Sequence, residues 1–195
     1  MAQLPLTRPS LLLRLRDLHD QQAWVDFVAI YAPLVYGFAR QRGLQEADAC
    51  DLTQEVLRAV AASAERLEYD PERGSFRSWL YTVTRNKYLD LMRSRRRATR
   101  GTGDSDVLAQ LHEQPAREED LWEEDYRHQV FAWASARVRD EFEDSTWQAF
   151  WQVAVQGKKA KQAAADLNLT VAAVYIAKSK VLARLREEIH PLLEE

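Results

Sequence analysis

Apolar residues recur at helical spacing along most of the chain, and no stretch shows the two-residue alternation of a strand. Trp24, Phe27, Val28, Tyr31, Leu34, Val35 and Phe38 predict an amphipathic helix over 20–42, ended by Gly43, with Pro33 expected to kink or split it. A second helix is expected over 46–66, its apolar side formed by Leu52, Val56, Ala59 and Val60. Beyond the turn-rich Tyr69-Asp70-Pro71-Glu72-Arg73-Gly74, Ser75 is placed to cap a third helix reaching about Arg97. Phe76, Leu80, Val83 and Leu91 face one way on it and are expected in the core. Helical patterns return over 119–138 and 144–156, the latter with Trp147, Phe150, Trp151 and Val155 on one face and Gly157 as its stop.

The last pattern is the most informative. An alanine-rich helix over 160–166 meets a tight turn at Leu167-Asn168-Leu169, and Thr170 stands where an N-cap belongs. The helix that follows carries Val174, Val181 and Leu185 on one stripe, with Ala177 alongside. Lys178, Lys180, Arg184 and Arg186 are on it too, and no acid falls between Val171 and Arg186. Helix, short turn and basic helix is the arrangement that presents a reading helix to a DNA major groove. A hairpin that merely closes a bundle fits the same periodicity, but it gains nothing from excluding acids. The residues turned away from the stripe, and so available to DNA, are Ala172, Ala173, Tyr175, Ile176, Ser179 and Lys180, with Thr170 at the entrance. Few of these form bidentate pairs with bases, so methyl contacts, shape and phosphate clamping carry the readout.

Between Thr99 and about Glu118 the pattern fades into Gly101-Thr102-Gly103-Asp104-Ser105-Asp106 and Glu113-Gln114-Pro115. The expected organisation is therefore all-α: two small helical domains, 15–98 and 119–190, joined by a flexible acidic linker at 99–118. With 46% hydrophobic and 29% charged residues over 195 positions, the chain has material for ordinary soluble cores. The net charge of −3 hides a segregated distribution. Cations dominate from Arg73 to Arg100 and again from Lys158 to Arg186, while Asp104 to Asp144 is acid-rich.

Cys50 is the single cysteine, which excludes an intramolecular disulfide and fits a reducing, cytoplasmic setting. No apolar run reaches membrane-spanning length, and the first ten residues lack the order of an export signal. His19, His112, His128 and His190 are scattered, and neither a phosphate loop nor a nucleophile elbow is present. No enzyme activity, cofactor, metal site or membrane insertion is expected.

On the third helix, Trp79, Asn86, Arg93 and Arg97 fall close to one line, with Arg85 and Arg96 nearby. Rings stack on unpaired bases, amides read base edges and arginines hold phosphates, so this set suits a separated DNA strand. A solvated basic helix end with Trp79 in the core fits the pattern equally well. On the second helix Asp51, Gln54, Glu55 and Arg58 share a polar ridge that, on physical grounds alone, is ordinary surface.

Three segments nevertheless carry a resemblance. Asp48-Ala49-Cys50-Asp51-Leu52-Thr53-Gln54-Glu55-Val56-Leu57-Arg58 resembles the D-x-x-D-L-x-Q-E-V-x-x-R helix of bacterial extracytoplasmic-function (ECF) sigma factors. Phe76 to Lys87 resembles the F-R-x-W-L-x-x-I-A-R-N helix that follows in that family, and Arg93 to Arg97 its basic end. Val174 to Arg186 resembles its second DNA-reading helix. The resemblance spans most of 20–190, in the family's order. It implies a protein that binds core RNA polymerase, directs it to promoters and helps open the duplex. It further implies that Asp51, Gln54, Glu55 and Arg58 meet the clamp coiled coil, the second domain meeting the flap. Phe76, Arg77, Trp79, Arg85, Asn86, Arg93 and Arg97 would melt and capture the −10 element. The C-terminal domain, through the seven residues named above, would read the −35 element. An anti-sigma protein is a further partner the family suggests. This chain departs from the family pattern at Ala177, usually arginine, at Lys178, usually apolar, and at Asn168, usually glycine. Asn tolerates the left-handed backbone that such a turn requires.

Two other readings make different demands. A conventional helix-turn-helix regulator would bind duplex DNA without polymerase, as a dimer on a palindrome. An RNA-binding or scaffold protein using Arg93 to Arg100 would keep its RNA affinity after loss of 119–195.

Overall fold

The computed structural model describes residues 11–17, 19–64, 76–98 and 115–193, with the side chains at 96–98, 115–117, 191 and 193 outside the description. The Ser75 cap, the turn at 69–74 and the linker over 99–114 lie outside the described residues, as does the Arg97 side chain. Among the described residues every regular element is helical. The chain separates into two compact units, one ending at Gln129 and the other beginning at Val130.

The first unit holds α1 (Leu11–Leu15), α2 (Gln21–Gln41), α3 (Glu46–Ser63), α4 (Phe76–Ala98) and the first part of α5 (Pro115–Val138). Asp20 starts α2: its carboxylate accepts the Ala23 amide at 2.9 Å and is gripped by Arg14 at 2.8 and 2.9 Å. Both contacts hold the Asp20 carboxyl below its ordinary value, the Arg14 hydrogen bond most of all. Pro33 neither kinks α2 into two nor ends it; the residue is exposed on a helix that continues to Gln41. At the end of α2 Gly43 takes a φ of 80°, which lets its amide reach Arg40 O at 3.0 Å and the Leu44 amide reach Ala39 O at 3.2 Å. This Schellman closure buries Leu44 and turns the chain into α3.

Phe27, Ile30, Tyr31, Leu34, Val35 and Phe38 of α2 meet Leu52, Val56 and Val60 of α3, with Phe76, Leu80, Tyr81, Tyr88 and Leu89 of α4 completing the core. Truncating a ring such as Phe27 to alanine is expected to cost about 3–5 kcal/mol. On α4 the buried line differs from the expected one. Val83 and Leu91 are only half-buried, while Thr84 and Tyr88 sit fully inside. Thr84 is tolerated there because its hydroxyl donates to Leu80 O at 2.8 Å.

Residues 119–129, assigned from sequence to the second domain, fold with the first unit. The physical reason is aromatic. Trp122 and Tyr126, both 2% exposed, insert between α2 and α4. The Tyr126 ring stacks on Tyr31 at 5.6 Å, and the Trp122 ring meets Phe38 and Tyr81, each at 5.8 Å.

The second unit contains the rest of α5, a 3-10 turn (Arg139–Glu141), α6 (Asp144–Phe150), a π turn (Trp151–Val155), α7 (Ala160–Asp166) and α8 (Val171–Leu193). Ala134, Val138, Trp147, Phe150, Val181 and Leu185 form one cluster of its core. Ala149, Ala160, Ala163, Ala164, Val174 and Ala177 form another, where small residues let α7 approach α8 closely. Val155 does not share the face of Trp147 and Phe150; it is 43% exposed. The π turn admits one extra residue per turn and rotates Val155 out of line. Arg184 clamps this unit, donating to Glu141 at 2.7 and 2.8 Å and pairing with Glu188 at 3.0 Å.

Candidate nucleic-acid interface

The junction of α7 and α8 has the geometry its sequence implies. Asn168 adopts φ 53°, its amide bonds to Ala165 O at 3.3 Å, and the Leu169 amide bonds to Ala164 O at 2.8 Å. Thr170 Oγ1 then accepts the Ala173 amide at 3.1 Å, satisfying one orphan donor of α8. Val174, Ala177, Val181 and Leu185 are buried, so the opposite side of α8 is fixed as the outer face. Thr170, Ala172, Tyr175, Ile176, Ser179 and Lys180 are exposed there, and Ala173 is half-buried. Tyr175 and Ile176, at 57% and 56% exposure, are large apolar groups with no core to fill, as expected of side chains that meet base methyls or sugar edges. A shallow groove of about 350 Å³ elsewhere in the unit is lined by Arg139, Trp147 and Trp151. Ala177 lies in the core and Lys178 at its margin, so the departures from the family pattern leave the stripe in place.

The polar ridge of α3 is exposed but internally tied. Arg58 pairs with Glu55 and donates to Gln54 at 3.3 Å. Glu55 also accepts from Lys87 of α4 at 3.3 Å, and the hydrogen bond from Lys87, with the charge of Arg58, holds its carboxyl below the ordinary value. Asp51 is exposed one turn earlier.

The seven residues assigned to the separated strand do not form one surface. Phe76 is a core residue, edge-on to Phe27 at 6.0 Å and to Tyr31 at 5.6 Å. Trp79 is half-buried, its ring tilted on that of Phe76 at 5.4 Å. Asn86 and Arg93 are exposed on the same line as Trp79, Arg93 pairing with Asp90 at 2.9 Å. Arg77 and Arg85 point to a different side of α4, toward α5. Arg77 donates to both oxygens of Glu123 at 3.0 and 3.3 Å, and Arg85 lies 3.8 Å from Glu118. Sequence reasoning missed Arg95, which pairs with Asp48 of α3, and missed Arg42, which pairs with Glu118 at 3.3 Å. The signal for the first was an acid on α3 left over from the ridge; nothing local announced the second.

Among the described residues no three His, Cys, Asp or Glu side chains gather as a metal site, and no helix is long and apolar enough to cross a membrane.

Comparison with known proteins agrees with this geometry. Residues 27–98 match the family described as sigma-70 region 2, a span that takes in α3, α4 and most of α2. The chain is 31% identical over 87 residues to the ECF RNA polymerase sigma factor RpoE of Cereibacter sphaeroides, covering 45% of this chain and 47% of that one. It is 38% identical over 81 residues to the ECF RNA polymerase sigma factor SigE of Mycolicibacterium smegmatis, covering 40% of this chain and 30% of that one. The alignments thus span about half of the first relative and less than a third of the second. With an all-helical fold, a region 2 helix pair and these two likenesses, the chain belongs to the ECF group of the sigma-70 family.

Proposed function

We propose that this protein is an alternative sigma factor that binds core RNA polymerase, brings it to specific promoters and assists their opening. The reading performs no bond chemistry; it supplies sequence recognition and captures unpaired bases. The single observation that carries it is the capped junction of α7 and α8 in a chain that also holds a region 2. A groove-reading helix and a polymerase-docking module together are what promoter selection requires.

In this reading Asp51, Gln54, Glu55 and Arg58 meet the clamp coiled coil, and the second unit meets the flap. Trp79, Asn86 and Arg93 take the upstream edge of the −10 element, the ring stacking on a displaced base at roughly 1–3 kcal/mol. The outer face of α8 reads the −35 element. An anti-sigma protein would act by covering these surfaces. Their separation into a strand-binding set and a duplex-binding set supports the assignment, because each has the chemistry its target demands.

The test is runoff transcription with purified bacterial core enzyme on genomic fragments. New transcripts that depend on the added protein are expected. Co-elution with core enzyme should fail for a conventional regulator, which would instead retain duplex DNA unaided.

A further inference from the structure

The first part of α5 is an acidic helix seated on a cationic, aromatic face. Glu118 receives the Tyr81 hydroxyl at 2.8 Å and lies within ion-pair range of Arg42 and Arg85. Glu119 receives the Ser78 hydroxyl at 2.7 Å, and Glu123 receives Arg77. Asp125 receives the Gln41 side chain at 3.2 Å. Beneath these carboxylates lie the Phe38, Tyr81 and Tyr31 rings, with Arg42 stacked 3.5 Å from the Phe38 centroid.

Three half-buried guanidiniums beside aromatic rings, facing a row of carboxylates, have the chemistry of a surface that holds a nucleic-acid strand. The carboxylates are spaced along one helix as substitutes for phosphates. The seat is imperfect in one respect: Trp122 Nε1 is buried without an acceptor, so docking the helix strands a donor that water would satisfy on release. Burial, and then the bond to Glu118, raise the Tyr81 hydroxyl far above its ordinary value, so it stays a donor at any working pH.

We infer that residues 118–126 are an intramolecular strap that masks a second strand-binding face, Arg42, Arg77, Tyr81 and Arg85, and that this face takes single-stranded DNA once the strap lifts. The inference rests on the sigma reading, and it assigns Arg77 and Arg85 a role they hold only in the released state. Trp79, Asn86 and Arg93 remain available throughout, so the strap limits grip on the strand rather than first contact.

The test compares two full-length variants of equal charge. E118Q/E123Q removes two carboxylates that face α4; D120N/E124N removes two on the same helix that the contacts leave outside. Binding of a dye-labelled, mixed-sequence single-stranded oligonucleotide is followed by anisotropy across a salt series. Hydrogen exchange then reports whether 118–126 opens while α2, α3 and α4 stay protected. E118Q/E123Q should open the strap and bind at least tenfold tighter, with a salt slope steeper by about 2, at about 0.7 per phosphate engaged. D120N/E124N should match the unaltered chain. Equal gains in both variants, or an opened strap with unchanged affinity, would overturn the inference. If exchange shows no opening, W122A replaces the carboxylate variant under the same criteria. Runoff transcription by the unaltered chain is scored separately, so a failed strap with intact transcription leaves the sigma reading standing.

Discussion

Lys87 of α4 donates to Glu55 of α3 at 3.3 Å, so the carboxylate assigned to polymerase docking also joins two helices of its own unit. Replacing it therefore has two consequences that must be separated. E55K is expected to weaken co-elution with core polymerase, and the exchange E55K/K87E should restore the helix pair without restoring polymerase binding. Thermal melting and gel filtration with core enzyme check the two effects independently. Recovery of both together in the exchanged variant would show that Glu55 acts only through Lys87.

Trp79 is half-buried against Phe76, which places it between a core residue and a free stacking platform. W79A should cost well under the roughly 3–5 kcal/mol of a fully buried ring. Its effect should fall on promoter opening, measured by permanganate reactivity of unpaired thymines, with recruitment of polymerase nearly unchanged.

At the α7–α8 junction T170A removes the acceptor of the Ala173 amide and should destabilise the second unit by about 1 kcal/mol. N168G should be tolerated, because glycine occupies positive φ without strain, whereas N168V should cost about 1–2 kcal/mol or more. Chemical denaturation of the full chain, followed by tryptophan emission, provides the comparison.

Glu188 is opposed by burial but held by Arg137 at 2.7 Å and Arg184 at 3.0 Å, and the two cations prevail, so its carboxyl lies below the ordinary 4.5. A depressed carboxyl contributes stability that is complete above the unfolded value and is lost as pH falls through the folded one. E188Q should therefore lower stability at neutral pH by about 1.5–3 kcal/mol and flatten its decline below about pH 4.5. Unchanged acid sensitivity in melts across that range would refute the assignment.

What could be read from sequence follows how far each interaction reaches along the chain. Thr170, Asn168 and the stripe Val174, Ala177, Val181 and Leu185 were legible because caps, turns and stripes are set by residues a few positions apart. The docking of Trp122 and Tyr126 was not, since their spacing states that a helix has an apolar side and says nothing of which helix receives it. Arg77 and Arg85 were grouped with Trp79 by charge and proximity, yet they stand on another side of α4 and find carboxylates more than thirty positions away. Val155 was misplaced because a uniform 3.6-residue pitch was applied across a wider turn.

That wider turn at Trp151–Val155 holds a surplus residue between α6 and the lysines that lead into α7. Deleting one amino acid there would let the backbone regain ordinary pitch and swing all that follows by about 100° around the axis. The bearing of the alanine-rich helix, and with it the aim of Tyr175 and Ile176, thus depends on a single insertion, which makes this the place where a one-codon change could re-point the whole reading head.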